Sequence, residues 1–291
     1  MINYSFIIPH HNTPDLLERC VKSIPQRDDI EIIVVDDNSD EDKKPTISRE
    51  GVIIILLDAT HSKGAGRARN TGLKHAKGKW VFFADADDQY TDELMNLFEK
   101  DEKSDLDVLY FNSAIYDSKT NKIIQRESSW IQHYIEASNS EVHMQWVKFQ
   151  RMPWNKMLRR DFIERFQLRF QECPNGNDAM FSYHVAVLAQ SVSVISSPIY
   201  LYTINPNGIT HRKRTNPQIL SNLENLYKKR EFLSFFNYGF EKPSLIRILK
   251  INLKKGEIRD VCRVLWIFLL YYRRIIRNRK EYIDIIKPYL R

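Results

Sequence analysis

The chain has 291 residues, 43% of them hydrophobic, and a formal net charge of +7. That length holds one large α/β domain with an appendage, or two small domains, and the composition argues against wholesale disorder. Cys20, Cys173 and Cys262 are widely spaced and fit no metal-ligand pattern, which argues against a disulfide framework and for a reducing compartment. No apolar run reaches the roughly 20 residues of a membrane-spanning helix. Met1-Ile2-Asn3-Tyr4-Ser5 leads directly into a strand, so no secretory leader is expected.

In chain order, Tyr4–Pro9 reads as a strand. Asn12 or Thr13 caps a helix that has Pro14 at its first position and runs to about Ile24. Ile30–Val35 is a strand ending in Asp36-Asp37-Asn38, and Val52–Leu57 is a third. Gly64–Lys77 is a helix, Trp80–Ala84 a fourth strand, Asp92–Lys100 a helix and Val108–Tyr116 another strand. Continuous β-branched runs separated by helices predict a single, mostly parallel sheet flanked by helices on both faces. Right-handed crossovers put Pro9, Asp37 and Asp85–Asp88 along one rim, where open α/β sheets bind ligands. Residues 121–157 are less regular, with a polar loop expected at Ser128–Ser140. Arg159–Phe166 and Asp178–Ala189 read as helices, and Val192–Thr203 as paired short strands around Pro198. After Arg214 the composition is helical, at Gln218–Phe235, Pro243–Leu253 and Arg259–Arg279. The expected division is an α/β domain over 1–214 and a helical basic extension over 215–291.

The strongest signal is the run Trp80-Val81-Phe82-Phe83-Ala84-Asp85-Ala86-Asp87-Asp88. A buried strand ends in three aspartates within four residues. Such crowded carboxylates repel one another and call for a compensating cation. Mg²⁺ or Mn²⁺ fits, because hard divalent ions take oxygen ligands and share them with substrate phosphates. By itself the cluster also reads as a polar turn. Gly64-Ala65-Gly66-Arg67-Ala68-Arg69 has Arg69 where a dinucleotide loop has its third glycine, and it follows the third strand, which argues against that fingerprint. A helix N-terminus carrying Lys63, Arg67 and Arg69 is either an anion site or a solvated basic face. Asp37 is placed to accept a hydrogen bond from a ribose hydroxyl or a base N–H, or to cap a turn.

Four pieces in order carry a resemblance: Pro9-His10-His11-Asn12, then Val34-Val35-Asp36-Asp37-Asn38-Ser39, then Ala68-Arg69-Asn70-x-Gly72, then Ala76-x-Gly78-x-Trp80 through Asp88. Together they resemble the inverting nucleotide-sugar glycosyltransferases of family 2, with the A-type fold. The likeness is strong over residues 3–115 and weaker over 150–214. It implies that 1–214 is a catalytic domain in which Pro9, His11 and Asp37 line the base pocket and Asn12 belongs to the donor site. Lys63 and Arg69 would lie near ribose and diphosphate, Asp85 or Asp87 would touch ribose, and Asp87 or Asp88 would hold the metal. Family members often carry Tyr where His11 stands. The resemblance also makes Asp178 the base that takes a proton from the acceptor hydroxyl. Members commonly have Glu-Asp where this chain has Asn177-Asp178, and the competing use of Asp178 is a helix N-terminal carboxylate. His211, in Asn207-Gly208-Ile209-Thr210-His211-Arg212, is a further metal candidate or a solvated His. Trp154 either stacks on a sugar ring or belongs to the core.

The positive charge is concentrated at one end. Residues 242–291 carry 14 Lys/Arg against 4 Asp/Glu, and the other 241 carry 30 against 33. Arg259–Lys280 mixes an apolar run with Arg263, Arg273, Arg274, Arg277, Arg279 and Lys280, as a helix lying on an anionic bilayer would. The alternative is a helix packed on the catalytic domain, and no nucleic-acid motif accompanies the charge. The expectation is metal-assisted transfer from a nucleotide diphosphate sugar, with UDP the favoured nucleotide, to a glycan or lipid-linked glycan. The setting would be cytoplasmic, peripheral to the inner face of the membrane, in capsule or cell-surface polysaccharide assembly. A nucleotide-sugar-binding or scaffold protein without turnover is the rival reading.

Overall fold

The computed structural model describes residues 1–60, 64–99, 105–125, 144, 147–173 and 175–204, and residues 218, 221, 222, 225, 228, 229, 232, 233 and 266. The strands are β1 (Tyr4–His10), β2 (Ile30–Asp37), β3 (Val52–Leu57), β4 (Trp80–Phe83), β5 (Gln89–Tyr90), β6 (Val108–Asp117), β7 (Lys122–Gln125), β8 (Lys156–Arg159) and β9 (Val192–Ile204). Among the described residues, the helices of six or more residues are α1 (Pro14–Ser23), α2 (Ala65–His75), α3 (Glu93–Glu99), α4 (Arg160–Arg165) and α5 (Ala179–Leu188).

One sheet runs in the order β3-β2-β1-β4-β8-β6-β9-β5, with β7 paired to β6. The β3-β2-β1-β4 half is parallel, as the helix-separated apolar runs predict. The other half makes the sheet mixed. β8 pairs antiparallel with both β4 and β6, β6 and β9 are parallel, and β5 is antiparallel to β9. β9 is one long strand where two short ones were expected. Register shifts opposite Asn112 absorb the break at Pro198, and the Asn112 amide holds the bulge by donating to the Ser196 carbonyl at 3.0 Å. A bulge is where a strand tolerates proline.

Both sheet faces are covered, which explains the unbroken apolar runs. Phe6, Ile8, Trp80 and Phe82 face one core with Leu17 and Val21 of α1 and Leu94 and Leu97 of α3. Ile7, Val81 and Phe83 face the other, with Ala68 of α2, Phe162 of α4 and Phe181 and Val185 of α5. Phe82 is fully buried and stacks on Phe6 at 4.6 Å between centroids, so truncating it to Ala costs about 3–5 kcal/mol. A third, smaller cluster joins Ala179, Met180 and Tyr183 of α5 to Phe232 and Leu233. Part of the expected extension therefore packs on the α/β body. The loop expected at Ser128–Ser140 and the helices expected at 243–253 and 259–279 lie outside the described residues, Trp266 excepted. Among the described residues no helix is long and apolar enough to cross a membrane.

Candidate functional site

The parallel register brings the ends of β1 and β2 together, with Pro9 beside Val35 and His10 beside Asp36. His10 and Asp36 are buried and bond at 2.7 Å. The Thr13 amide donates to His10 Nε2 at 3.1 Å, so the ring proton sits on Nδ1 and is donated to Asp36. Asp36 also accepts from the Ser39 amide and hydroxyl. This hub ties the two strand-end loops, and Asn12 ties them again. Asn12 has φ 58; its amide nitrogen donates to Asp40 at 3.1 Å, and its carbonyl oxygen accepts from the Asp40 backbone N–H at 2.8 Å. His11 is exposed beside them, with Nδ1 3.1 Å from the Asp37 carbonyl oxygen. Asp37 accepts from the Gly64 amide at 2.9 Å, so its carboxylate meets the entry to α2. Pro9, His11, Asn12 and Asp37 thus form one corner of the rim.

A second group gathers at the ends of β4 and α2. Arg69 is nearly buried on α2 and donates to Asp85 Oδ1 at 2.5 Å and to Asn177 Oδ1 at 2.9 Å. Its guanidinium also lies over the Phe170 ring. Gly66 makes this approach feasible: a Cβ there would sit 2.1 Å from the Gln171 carbonyl oxygen and 2.9 Å from Asn177 Cβ. The glycine-rich start of α2 therefore serves close packing against the 171–177 loop.

The three aspartates of the β4 end divide. Asp85 and Asp87 are half-buried at the rim, while Asp88 is wholly buried. Asp88 accepts from the Tyr200 hydroxyl at 2.8 Å and from the Thr203 amide at 2.7 Å, so both oxygens turn inward. The Asp85 amide donates to the same Tyr200 oxygen at 3.0 Å. Trp154 stacks on Tyr200 at 4.6 Å and is buried, which places it in the core beneath this loop. Burial and the neighbouring Asp85 push the Asp87 carboxyl up to about 6. Burial and the other two aspartates push Asp88 well above the usual carboxylate range. Arg19 of α1, unmarked in the sequence pattern, donates to the Asp87 carbonyl at 2.7 Å.

The half-buried Asp85 and Asp87 carboxylates of this rim are hard oxygen donors of the kind that suit a divalent ion. Among the described residues no three His, Cys, Asp or Glu side chains cluster as a metal cage. One or two carboxylates completed by substrate phosphates is the usual arrangement for Mg²⁺. Lys63 and His211 lie outside the described residues.

Asp178 precedes α5 and is half-buried, and its carboxylate makes no cap hydrogen bond to the helix. Burial raises its pKa, Arg69 lowers it, and Asp85 raises it further. The carboxylate stands at the N-terminus of α5, where the helix dipole favours it, and shares an electrostatic environment with the Arg69–Asp85 pair. Buried Lys156 of β8 donates to the Gln150 and Met152 carbonyls at 3.1 and 2.6 Å and to the Ser182 hydroxyl at 3.3 Å. Burial brings it down to about 7, against the pull of Asp178. A lysine in the short strand run Lys156-Met157-Leu158 is the only sequence signal of that burial.

Comparison with known proteins agrees with this arrangement. The model of glycosyl transferase family 2 matches residues 5–175. The uncharacterized glycosyltransferase EpsJ of Bacillus subtilis is 28% identical over 244 residues, 80% of this chain and 70% of that one. A Campylobacter jejuni protein, GalNAc(5)-diNAcBac-PP-undecaprenol beta-1,3-glucosyltransferase, is 26% identical over 290 residues, 96% of this chain and 85% of that one. Among solved structures, Staphylococcus aureus TarS 1–349 in complex with UDP-GlcNAc superposes with TM-score 0.62 at 19% identity, over 93% of this chain and 80% of that one. With the family match spanning most of the α/β body and a mixed, helix-flanked sheet of the A type beneath it, the chain belongs to glycosyl transferase family 2 and is a glycosyltransferase.

Proposed function

We propose that the protein transfers a sugar from a UDP-sugar to a hydroxyl of a cell-surface glycan, with inversion. The observation that carries this is Asp178: a half-buried carboxylate that caps nothing, linked to the donor rim through Arg69 and Asn177. Burial raises its pKa, which makes it a stronger proton acceptor than an exposed carboxylate. Pro9, His11, Asn12 and Asp37 bind the base, and Asp85 faces the ribose. Asp87, rather than the inward-turned Asp88, holds Mn²⁺ or Mg²⁺ with Asp85 beside it. Bound there, the ion supplies Lewis-acid neutralisation of the departing diphosphate. Asp178 takes the proton from the acceptor oxygen as that oxygen bonds to the anomeric carbon and the bond to diphosphate breaks. Lys63 as a ribose and diphosphate contact and His211 as a further metal ligand stay proposals from the family resemblance, since both lie outside the described residues.

The acceptor class is a lipid-linked or surface glycan, and the hexosyl and N-acetylhexosaminyl donors are the ones to test. The names of the relatives support this, the Campylobacter protein being named for an undecaprenol-linked substrate. The basic stretch 259–280 would hold the enzyme on an anionic membrane at its cytoplasmic face. Calorimetric titration with UDP, GDP and dTDP, each in Mn²⁺ and in EDTA, tests the donor site. Metal-dependent binding of UDP alone is the expected result. Folded protein that binds none of the three overturns the donor assignment in favour of a scaffold without turnover.

A further inference from the structure

The loop that presents Asp178 is fastened from the far side by a segment beyond the family-matched region. The fastening residues are Ser221, Asn222 and Asn225. All three are helical, at the spacing of one helix face, and Ser221 and Asn225 are buried. Asn225 Nδ2 donates to the Asn175 and Gly176 carbonyls, each at 3.0 Å. The Ser221 hydroxyl donates to the same Asn175 carbonyl at 2.7 Å, and Asn175 Nδ2 donates to Asn222 Oδ1 at 2.8 Å. Gly176 has φ +70, and a Cβ there would lie 2.8 Å from Asn225 Nδ2. The turn needs glycine both for its backbone and for the closeness of the Asn225 amide.

On its near side the same loop is held by Arg69, through Asn177 Oδ1, and by the Gln171 amide, which donates to the Asn177 carbonyl at 3.1 Å. Residues 175–177 are thus clamped from both sides immediately before Asp178. Below the clamp, Phe232 and Leu233 pack on α5, and Lys229 lies over the Tyr183 ring at 4.7 Å. The apolar contacts dock the segment. The amide contacts act one residue pair away from the carboxylate.

From this double clamp we infer that Asn225 is a positioning residue for transfer: it sets the backbone from which Asp178 reaches the acceptor, and it touches no substrate. The inference rests on the reading of Asp178 as the base. It extends the positioning machinery past the family-matched region to Asn225, while Leu233 only docks the segment on α5. An error of about 1 Å in the placement of a reacting group costs on the order of 100-fold in rate, so the loss of a two-carbonyl anchor has a measurable consequence.

The test uses the full chain and turnover of UDP-N-acetylglucosamine and UDP-glucose, read as UDP release. Asn225→Ala is compared with Leu233→Ala, which loosens the same docking interface without touching the loop, and with Asp178→Asn. The expected result for Asn225→Ala is a kcat lowered on the order of 10- to 100-fold, a donor KM within about twofold of the parent, and faster amide exchange over residues 175–179. Leu233→Ala should lower Tm and leave kcat near the parent value. Parent-like kcat in Asn225→Ala, with Asp178→Asn inactive, overturns the positioning role alone. Equal loss of kcat in Asn225→Ala and Leu233→Ala overturns it in favour of general packing. Full turnover by Asp178→Asn overturns instead the reading on which it rests.

Discussion

Arg69 joins Asp85 to Asn177: one guanidinium nitrogen lies 2.5 Å from the Asp85 carboxylate and the other 2.9 Å from the Asn177 side-chain oxygen. A residue at the end of β4 and the residue before Asp178 are therefore held by one planar, doubly donating group. Asn177 offers a neutral oxygen, so of these two partners Asp85 alone balances the Arg69 charge.

Arg69→Lys keeps the charge and loses the fork, since an ammonium on a flexible stem does not hold two acceptors at this spacing. Its turnover should fall on the order of 100-fold, and Arg69→Ala should fall further and lose UDP affinity as well. Steady-state kinetics beside calorimetry separate the two effects. Equal activity of Arg69→Lys and the parent would show that the bridge is unnecessary.

The aspartates at the end of β4 should separate by function. Asp87→Asn is expected to abolish the Mn²⁺-dependent part of UDP binding with little change in Tm. Asp88→Ala leaves the Tyr200 hydroxyl and Thr203 amide without their acceptor, costing about 1–3 kcal/mol of stability. Denaturant melts and titrations of both variants decide the matter. A stable Asp88→Ala protein that has lost only its metal dependence would reverse the assignment.

Lys156 gives a pH signature. In the fold its pKa is depressed to about 7, and in the unfolded chain it returns to about 10.5. Between those values the unfolded chain holds a proton that the folded chain has released, so stability rises with pH across that window. Lys156→Met removes this component. The parent should gain on the variant as pH rises from 7 to 10, by at most about 1.4 kcal/mol per pH unit. Urea melts at several pH values measure it, and a difference that stays flat or shrinks contradicts the depressed pKa of Lys156.

The parallel half of the sheet is legible because β1, β2 and β4 are buried on both faces, so their apolar runs are unbroken and their ends fall on one rim. β5 is too short and β7 too exposed to leave such a trace. Val192–Ile204 misleads for a local reason, since proline ordinarily ends a strand and only the bulge opposite Asn112 accommodates it. The aspartates were visible, but their directions were not. Asp88 turns inward because Tyr200 and Thr203, more than a hundred residues later, supply its partners. Arg69 with Asp85, Lys156 beneath Asp178, and Asn225 on Gly176 are polar pairings without periodicity. Tertiary packing alone brings them together.

The most direct test of the account is Asp178→Asn, an isosteric change that removes the proton acceptor and little else. Turnover of a UDP-sugar should fall by about 10²- to 10⁴-fold, while UDP binding in Mn²⁺ and Tm stay at parent values. Turnover within tenfold of the parent, from a variant that binds UDP normally, would contradict Asp178 as the base and with it the proposed mechanism.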